Sequence, residues 1–331
     1  MTSVVEVPLR AWRLFDTYVR ARMFGPPSTA SFWYSPTPIA LSDIAAHAAY
    51  LDARPSPFYP IDYRSRTKFK FQNVDDIIIL PYGGGIGPQI NPEAAFQFAL
   101  GLHDRWLDER TPHLRSEFLR YAKYFLGRQK ANGDWVYAFD WYESKAPWIS
   151  SLAQTRGASV MLRAFLLTND QSYSDAAICA LSKLHKDVKD GGVRAGFKEN
   201  GACYFEEYPH QLNATLNGFI AALFGVWEVA TWLGDRPAKT LFDEGLKSLE
   251  SMLTFYTLSW WTLYDYVPGE AIPNVHSPRY HEMCTDYLVA LSTISQSPII
   301  EQYAQQWRKL DTMPHRATAY AVKIVRKLAY R

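Results

Sequence analysis

From Asn91 onward the sequence is written as helices in pairs, and that pattern limits the fold more than any other feature of the chain. Asn91-Pro-Glu93 supplies a capping side chain, a first-turn proline and an acid, and opens a predicted helix over 92–109. Its partner is expected at about 112–131, closed by Asn132-Gly133. A second pair is expected at about 148–168 and 172–187, with Asn169-Asp170 between. The third falls at about 212–234 and 237–255, joined at Gly234-Asp-Arg-Pro237, and the fourth at about 280–295 and 298–309. Loops inside each pair are short, which makes the two helices antiparallel neighbours. Loops between pairs are longer and carry aromatic and acidic residues: Gly133 to Pro147, Gly191 to Pro209 and Thr257 to Arg279. The expected fold class is therefore mainly α: an α/α toroid of about four helical hairpins, its site at one rim, behind a short N-terminal segment with some β structure. A superhelical repeat array is the alternative, but no fixed period recurs.

The segment Gln129-Lys-Ala-Asn-Gly-Asp-Trp135 supports the toroid, because it matches the Gln-to-Gly-x-Trp connection common in α/α barrels. Ahead of the pairs, residues 8–24 read as a helix with Trp12, Leu14, Phe15 and Val19 on one face, ending before Gly25-Pro-Pro27. Residues 28–91 contain the extended run Lys68-Phe-Lys-Phe71 and the strand-like Asp76-Ile-Ile-Ile-Leu80. Gly83-Gly-Gly-Ile-Gly87 lacks the lysine and Ser/Thr of a phosphate loop and reads as a turn or cleft rim. At the other end, a helix over about 315–331 sets Arg316, Lys323, Arg326, Lys327 and Arg331 opposite Ala321, Val325 and Leu328. Its stripe is expected to pack on the domain with its charges solvated; peripheral attachment to an acidic membrane surface is the alternative. The expected division is thus 1–90, a helix plus extended or β structure; 91–310, the toroid; and 311–331, the basic helix.

Composition excludes more than it assigns. The 331 residues suffice for one large domain, and a net charge of +2 says little about partners; no nucleic-acid partner is expected. Cys179, Cys203 and Cys284 form no metal spacing and leave one thiol over in any disulfide scheme, which suggests reduced thiols and an intracellular chain. The opening residues lack the basic flank and apolar run of a signal peptide, so the cytoplasm is the expected compartment. No transmembrane run is expected, and a homodimer is left open. The sequence holds no His-Glu-x-x-His, paired Cys-x-x-Cys or Asp-rich calcium loop, so neither a metal nor an organic cofactor is expected.

The chemistry gathers in the inter-pair loops. Cys203-Tyr-Phe-Glu-Glu-Tyr-Pro209 packs two acids among aromatics, with Leu216-Asn-Gly-Phe219 following it. Trp261-Thr-Leu-Tyr-Asp265 and Arg279-Tyr-His281 again set tyrosine beside a charged or titratable group. Any single tyrosine of the 21 is more often a core residue with a polar tip; the combination is what points to a site that moves protons. Glu206 and Glu207 do not make a glycosidase pair, since adjacent side chains diverge and hydrolysis needs carboxyls about 5–10 Å apart. Asp140, Asp265 or Asp286 could supply a second carboxyl, which keeps a hydrolase open.

Pro147-Trp-Ile-Ser-Ser-Leu-Ala-Gln154, Glu206-Glu-Tyr-Pro209, Leu216-Asn-Gly-Phe219, Leu263-Tyr-Asp265, Pro273-Asn274 and Tyr280-His281 together resemble the C-terminal domain of the D-glucuronyl C5-epimerases. The similarity continues through Leu291-Ser292, Ser297-Pro298 and Arg308, over roughly 135–310. The resemblance implies conversion of D-glucuronate to L-iduronate residues within a heparosan-like acidic polysaccharide. The animal enzymes also carry a β-barrel domain, for which this chain leaves little room, so it resembles a reduced form of them.

Carried over by motif, Glu207 and Tyr208 match the family's Glu-Tyr, Tyr264 its Tyr-Asp tyrosine, and Tyr280 the tyrosine before its histidine. The resemblance implies that Glu207 and Tyr280 transfer protons on opposite faces of the sugar, with Tyr208 and Tyr264 as hydrogen-bond donors. Trp148, Gln154, Arg156, Asn217, Asp265, Arg279 and His281 are the expected substrate-binding residues. The family carries an arginine soon after its Tyr-Asp; here Asp265 is followed by Tyr266-Val-Pro268. Neutralising the substrate carboxylate then falls to Arg156 or Arg279. A C5 hydrogen α to a carboxylate is very weakly acidic, so a placed base and donors for the developing enediolate are needed. A polysaccharide lyase would share all of this and add β-elimination. A non-catalytic glycan-binding or hydrolase-like α/α barrel is the remaining alternative.

Overall fold

The computed structural model describes residues 31–34, 37–40, 49–52, 57–83 and 85–330. The expected helix over 8–24 lies outside them. Four antiparallel hairpins follow one another: α1 (Pro92–Glu109) with α2 (Pro112–Leu126), α3 (Ser151–Thr168) with α4 (Gln171–Ala180), α5 (Leu216–Trp232) with α6 (Arg236–Tyr256), and α7 (Pro278–Ser295) with α8 (Pro298–Leu310). The first member of each hairpin packs on the first member of the next, so α1, α3, α5 and α7 form an inner ring backed by α2, α4, α6 and α8. The chain is an α/α toroid.

Sequence decides which helix is inner. α5 (LNGFIAALFGVWEVATW) is apolar on every side and almost wholly buried; a helix of that kind can only be interior. α6 repeats apolar residues at helical spacing and buries one face, Leu241, Phe242, Gly245, Leu249 and Met252 among it. Capping fixes where the helices begin. Asn91, Asp235, Ser277 and Ser297 each accept a hydrogen bond from a backbone N–H of the first turn, ahead of proline in the first two positions. Each such cap stabilises by about 1 kcal/mol.

Four helix boundaries differ by more than two residues from the sequence reading: α4 ends at Ala180, where the expected span to 187 passes into a 3₁₀ turn, Leu181–His185, and the other three differ for a tertiary reason. α2 stops at Leu126 rather than 131 because the Gln129 amide is used elsewhere, donating to the carbonyls of Gly133 and Ala176. α3 starts at Ser151, since Trp148 is extended and paired with Tyr137. α5 starts at Leu216, because the Asn213 carbonyl accepts from the Tyr266 N–H and the Ala214 N–H donates to the Glu206 carboxylate. Strands are few among the described residues. β1 (Gln72–Val74), β2 (Ile77–Tyr82) and β3 (Gly87–Gln89) form an antiparallel sheet, and β4 (Arg194–Gly196) pairs with β5 (Cys203–Phe205). Lys68-Phe-Lys-Phe71 leaves a 3₁₀ turn, Arg64–Lys68, in extended backbone at Phe69, without joining the sheet.

Residues 57–68 bridge the first and last inner helices. The Tyr59 N–H donates to Asp104 of α1 (3.1 Å), the 64–68 turn packs on α1, and the Tyr63 hydroxyl meets that of Tyr287 on α7 (3.5 Å). The C-terminal helix α9 (Met313–Ala329) departs from the expected solvated charge face. Arg326 pairs with Glu270, and Lys323 donates to Asn274 (2.8 Å), so its cations pin the 270–274 loop. Val325 and Leu328 are exposed. Among the described residues no helix is long and apolar enough to cross a membrane.

Candidate active site

A cleft of about 450 Å³ opens where the first turns of all four inner helices converge. Asn91 and Glu93 reach it from α1, Ser150 and Leu152 from α3, Asn217 from α5, and Arg279 and Tyr280 from α7. Helix N-termini present unsatisfied N–H groups and a partial positive charge, so this rim of the ring favours an anionic guest over a neutral one. Pro81, Tyr82 and Gly83 at the β2–β3 turn form part of the edge.

Glu207, Tyr208, Tyr264 and Tyr280 all line this cleft, as do Trp148, Arg156, Asn217 and Arg279. The two acids after β5 part company as alternation along an extended chain requires. Glu206 turns inward, fully buried, and accepts hydrogen bonds from the Tyr204 hydroxyl (2.6 Å) and the Ala214 N–H (3.2 Å). Its backbone bonds to Ser151 and Val193 tie the loop to the start of α3. Glu207 turns into the cleft, its carboxylate over Gly218: a Cβ there would stand 2.6 Å from Oε2. The glycine of Leu216-Asn-Gly-Phe219 is what lets the carboxylate settle on the first turn of α5. Glu207 Oε2 has no hydrogen-bond partner. Burial pushes the Glu207 carboxyl up to about 7, against the Tyr208 hydroxyl bond and the Arg156 charge, which both pull it down.

Tyr264 is fixed by its backbone: its N–H donates to Asn274 O (2.7 Å) and its carbonyl accepts from Leu216 (3.0 Å). Its ring meets Tyr280 edge-on at 5.4 Å between centroids. Tyr280 keeps 37% of its surface open on the cleft side. The enclosure around the rest of its ring, with the Glu207 charge, lifts its hydroxyl to about 12, while Arg279 and Arg66 oppose that rise. Burial and the Glu207 charge likewise raise Tyr208 and Tyr264. At neutral pH the cleft therefore holds one carboxyl poised between its two forms and three protonated phenols.

Two walls make up the rest of the lining. One is aromatic: Tyr137 and Trp148 stack at 3.9 Å and 7°, Phe139 and Trp141 close on Tyr82, and Tyr208 leans against Trp148 at 6.2 Å. These rings form a small cluster of their own, apart from the main core. The other wall is polar. Arg156 pairs with Glu93, which also accepts from Gln97, and donates to the Tyr287 hydroxyl (3.3 Å). Arg66 reaches the cleft from the 64–68 turn, beside Phe32 and Tyr63.

Sequence reasoning missed Arg66, Glu93, Gln97 and Tyr287. Glu93 reads as a first-turn acid serving the helix dipole, and only its burial at 5% exposure marks it otherwise.

Three expected binding residues lie behind the lining. Gln154 is fully buried and clamps the 129–135 turn, accepting from Trp135 N–H (3.0 Å) and donating to Gly133 O (3.2 Å). Asp265 accepts from the side chains of Asn213 (3.2 Å) and Asn274 (2.9 Å). His281 is buried against Trp261, with Nε2 on Trp307 O (3.0 Å) and Nδ1 on Thr262 (2.7 Å). A carbonyl can only accept, so His281 Nε2 carries the proton. Thr262 must then donate to His281 Nδ1 and accept from His276 Nδ1 (2.9 Å), which leaves His276 Nε2 to accept from the Cys284 thiol (3.3 Å). That neutral chain fixes the floor beneath Tyr264 and Tyr280. Among the described residues no group of three or more His, Cys, Asp or Glu side chains is disposed to hold a metal.

Fold and site together define a helical-hairpin toroid with an acid–base cleft, one wall aromatic, at the rim where its inner helices begin. The chain belongs to the family described as D-glucuronyl C5-epimerase C-terminus, whose model matches residues 129–309. It is 30% identical over 175 residues to a D-glucuronyl C5-epimerase of Caenorhabditis elegans, covering 48% of this chain and 28% of that protein. It is 26% identical over 181 residues to an uncharacterised protein of Methanocaldococcus jannaschii, covering 53% and 57%. The chain thus spans between about a quarter and three-fifths of these relatives. A family 76 glycoside hydrolase (mannosidase) of Bacteroides thetaiotaomicron aligns with a TM-score of 0.45 and 11% identity, over 70% of this chain and 61% of that one.

Proposed function

We propose that the cleft is the active site of a uronic-acid C5-epimerase, turning D-glucuronate into L-iduronate residues within a heparosan-like polysaccharide. The observation that carries this reading is the meeting of Glu207 and Tyr280, far apart in sequence, across one cleft in a chain of this family. The Glu207 carboxylate takes the C5 proton, and the electron pair left behind spreads into the substrate carboxylate as an enediolate. The Tyr280 hydroxyl returns a proton to the opposite face of C5. Glu207 is then protonated and Tyr280 a phenolate, which Arg66 and Arg279 favour; exchange with water in the cleft restores both. A base near pKa 7 and an acid still protonated at neutral pH suit these two steps. Tyr208 and Tyr264 donate to the substrate carboxylate or the glycosidic oxygen, and the aromatic wall stacks on sugar rings.

Hydrolysis is disfavoured by the carboxylates available. Asp140, Asp265 and Asp286 are not in the lining, and Glu93 is held by Arg156 and Gln97. The test is incubation with unsulfated heparosan, followed by proton NMR and chain-length analysis. L-iduronate signals with unchanged length are expected. Unsaturated uronate absorbance would instead identify a lyase, and shortened chains with new reducing ends a hydrolase.

A further inference from the structure

Arg66 is the buried arginine of the cleft that no carboxylate balances among the described residues. Its side chain is 4% exposed, and its Nε and Nη1 have no hydrogen-bond partner. The other buried arginines are committed: Arg163 to Glu228, and Arg156 to Glu93 and the Tyr287 hydroxyl. Arg279 is only half-buried and already has an interaction of its own. Arg66 is instead held among ring faces, its guanidinium 4.8 Å from Phe32, 5.2 Å from Tyr63 and 5.5 Å from Trp33. The titratable groups that act on it are the Tyr63 and Tyr287 phenols and two further arginines, Arg156 and Arg279. Removing a guanidinium from water without an anion is costly, and aromatic faces return only part of that cost. Such an arrangement is stable enough to keep when a guest brings the anion.

We infer that Arg66 is the residue that takes the uronate carboxylate and makes the cleft selective for acidic over neutral sugars. The inference rests on the epimerase reading and supplies the cation that the position after Asp265 lacks. It also places that cation ahead of residues 129–309, the stretch matched by the family model. A planar carboxylate suits a guanidinium fork, which an ammonium cannot reproduce. Arg66 and Tyr280 line the same cleft, so a carboxylate held on Arg66 keeps the sugar within the space that Tyr280 faces.

The experiment compares binding of heparosan and of carboxyl-reduced heparosan, its neutral counterpart, to the wild type and to Arg66→Gln, with thermal melts to verify folding. In Arg66→Gln the Kd for heparosan should rise about 10- to 100-fold, the range of a hydrogen bond to a charged group, with the neutral polymer little affected. An equal loss on both polymers would make Arg66 a packing residue. An undiminished preference for the acidic polymer would move the carboxylate to another cation; either result overturns the inference while leaving the epimerase reading standing. If the wild type itself shows no preference, or binds neither polymer, both readings fall. Should the variant not fold, a crystal of the wild type with a heparosan oligosaccharide decides, by a uronate carboxylate on the Arg66 guanidinium or on Arg279 alone.

Discussion

Arg156 and Arg163 lie two turns apart on one face of α3, yet they belong to opposite kinds of structure. Arg163 is fully buried and grips Glu228 through both terminal nitrogens (3.0 and 3.1 Å), while the Tyr50 hydroxyl completes the carboxylate at 3.0 Å. The deep end of the inner ring is thus closed, with its buried charge answered. At the rim, Arg156 and Glu93 answer each other, but Arg66 Nε and Nη1, Glu207 Oε2 and Asn217 Oδ1 have no hydrogen-bond partner. Taking polar groups out of water costs the fold in both places. Where the fold supplies the partner, such groups hold the ring together; at the rim several of them line the cleft instead.

The contrast breaks most readily at the closed end. Glu228→Ala leaves Arg163 buried and alone, and should cost about 3–5 kcal/mol of stability, seen as a lowered denaturation midpoint. Removing rim groups should do the opposite kind of damage. Glu207→Gln and Tyr280→Phe keep shape while removing the acid–base group, so turnover should drop by ~10²-fold or more with the fold intact. A Glu228 variant that melts normally, or rim variants that unfold, would erase the distinction.

The closed end was illegible in the sequence because Arg163 and Glu228 sit inside helices whose patterns announce only burial. The hairpins were legible, since Asn91-Pro92, Ser277-Pro278 and Ser297-Pro298 each combine a cap with a proline. So were Glu207 and the three tyrosines, dense enough in acids and phenols to stand out and carried by motif. Arg66 was not: nothing in Arg64-Ser-Arg-Thr-Lys68 sets it apart from its basic neighbours, and only the packing of that turn on α1 and beneath Phe32, Trp33 and Tyr63 buries it. His281 and Asp265 stood out for their chemistry but are spent on the scaffold, because a titratable residue looks the same in sequence whether or not its partners are already in place.

Two smaller effects sharpen the comparison. With the Glu207 carboxyl near 7, the base is lost as pH falls, so activity should decline about tenfold per unit below that value. Glu207→Gln should shift or abolish that limb. The same raised value carries a sign for stability. The folded state holds the proton more tightly than the unfolded chain, so charging Glu207 weakens the fold as pH rises from the unfolded carboxyl range through about 7. Glu207→Gln should therefore melt ~2–4 °C higher than wild type at pH 8, on the order of 1 kcal/mol, and lose that gain at pH 4. Glu228→Gln should show no such gain at any pH.

The central claim is that two groups act on opposite faces of C5, one removing its proton and the other supplying a new one, and heavy water tests it directly. Early in the reaction of the wild type with protiated heparosan in deuterium oxide, L-iduronate should carry deuterium at C5, because its proton comes from the exchangeable Tyr280 hydroxyl. The unreacted glucuronate should remain protiated over the same interval. L-iduronate that retains protium at C5 would mean a single group removes and returns the same proton, and would contradict the assignment of Glu207 and Tyr280 to opposite faces.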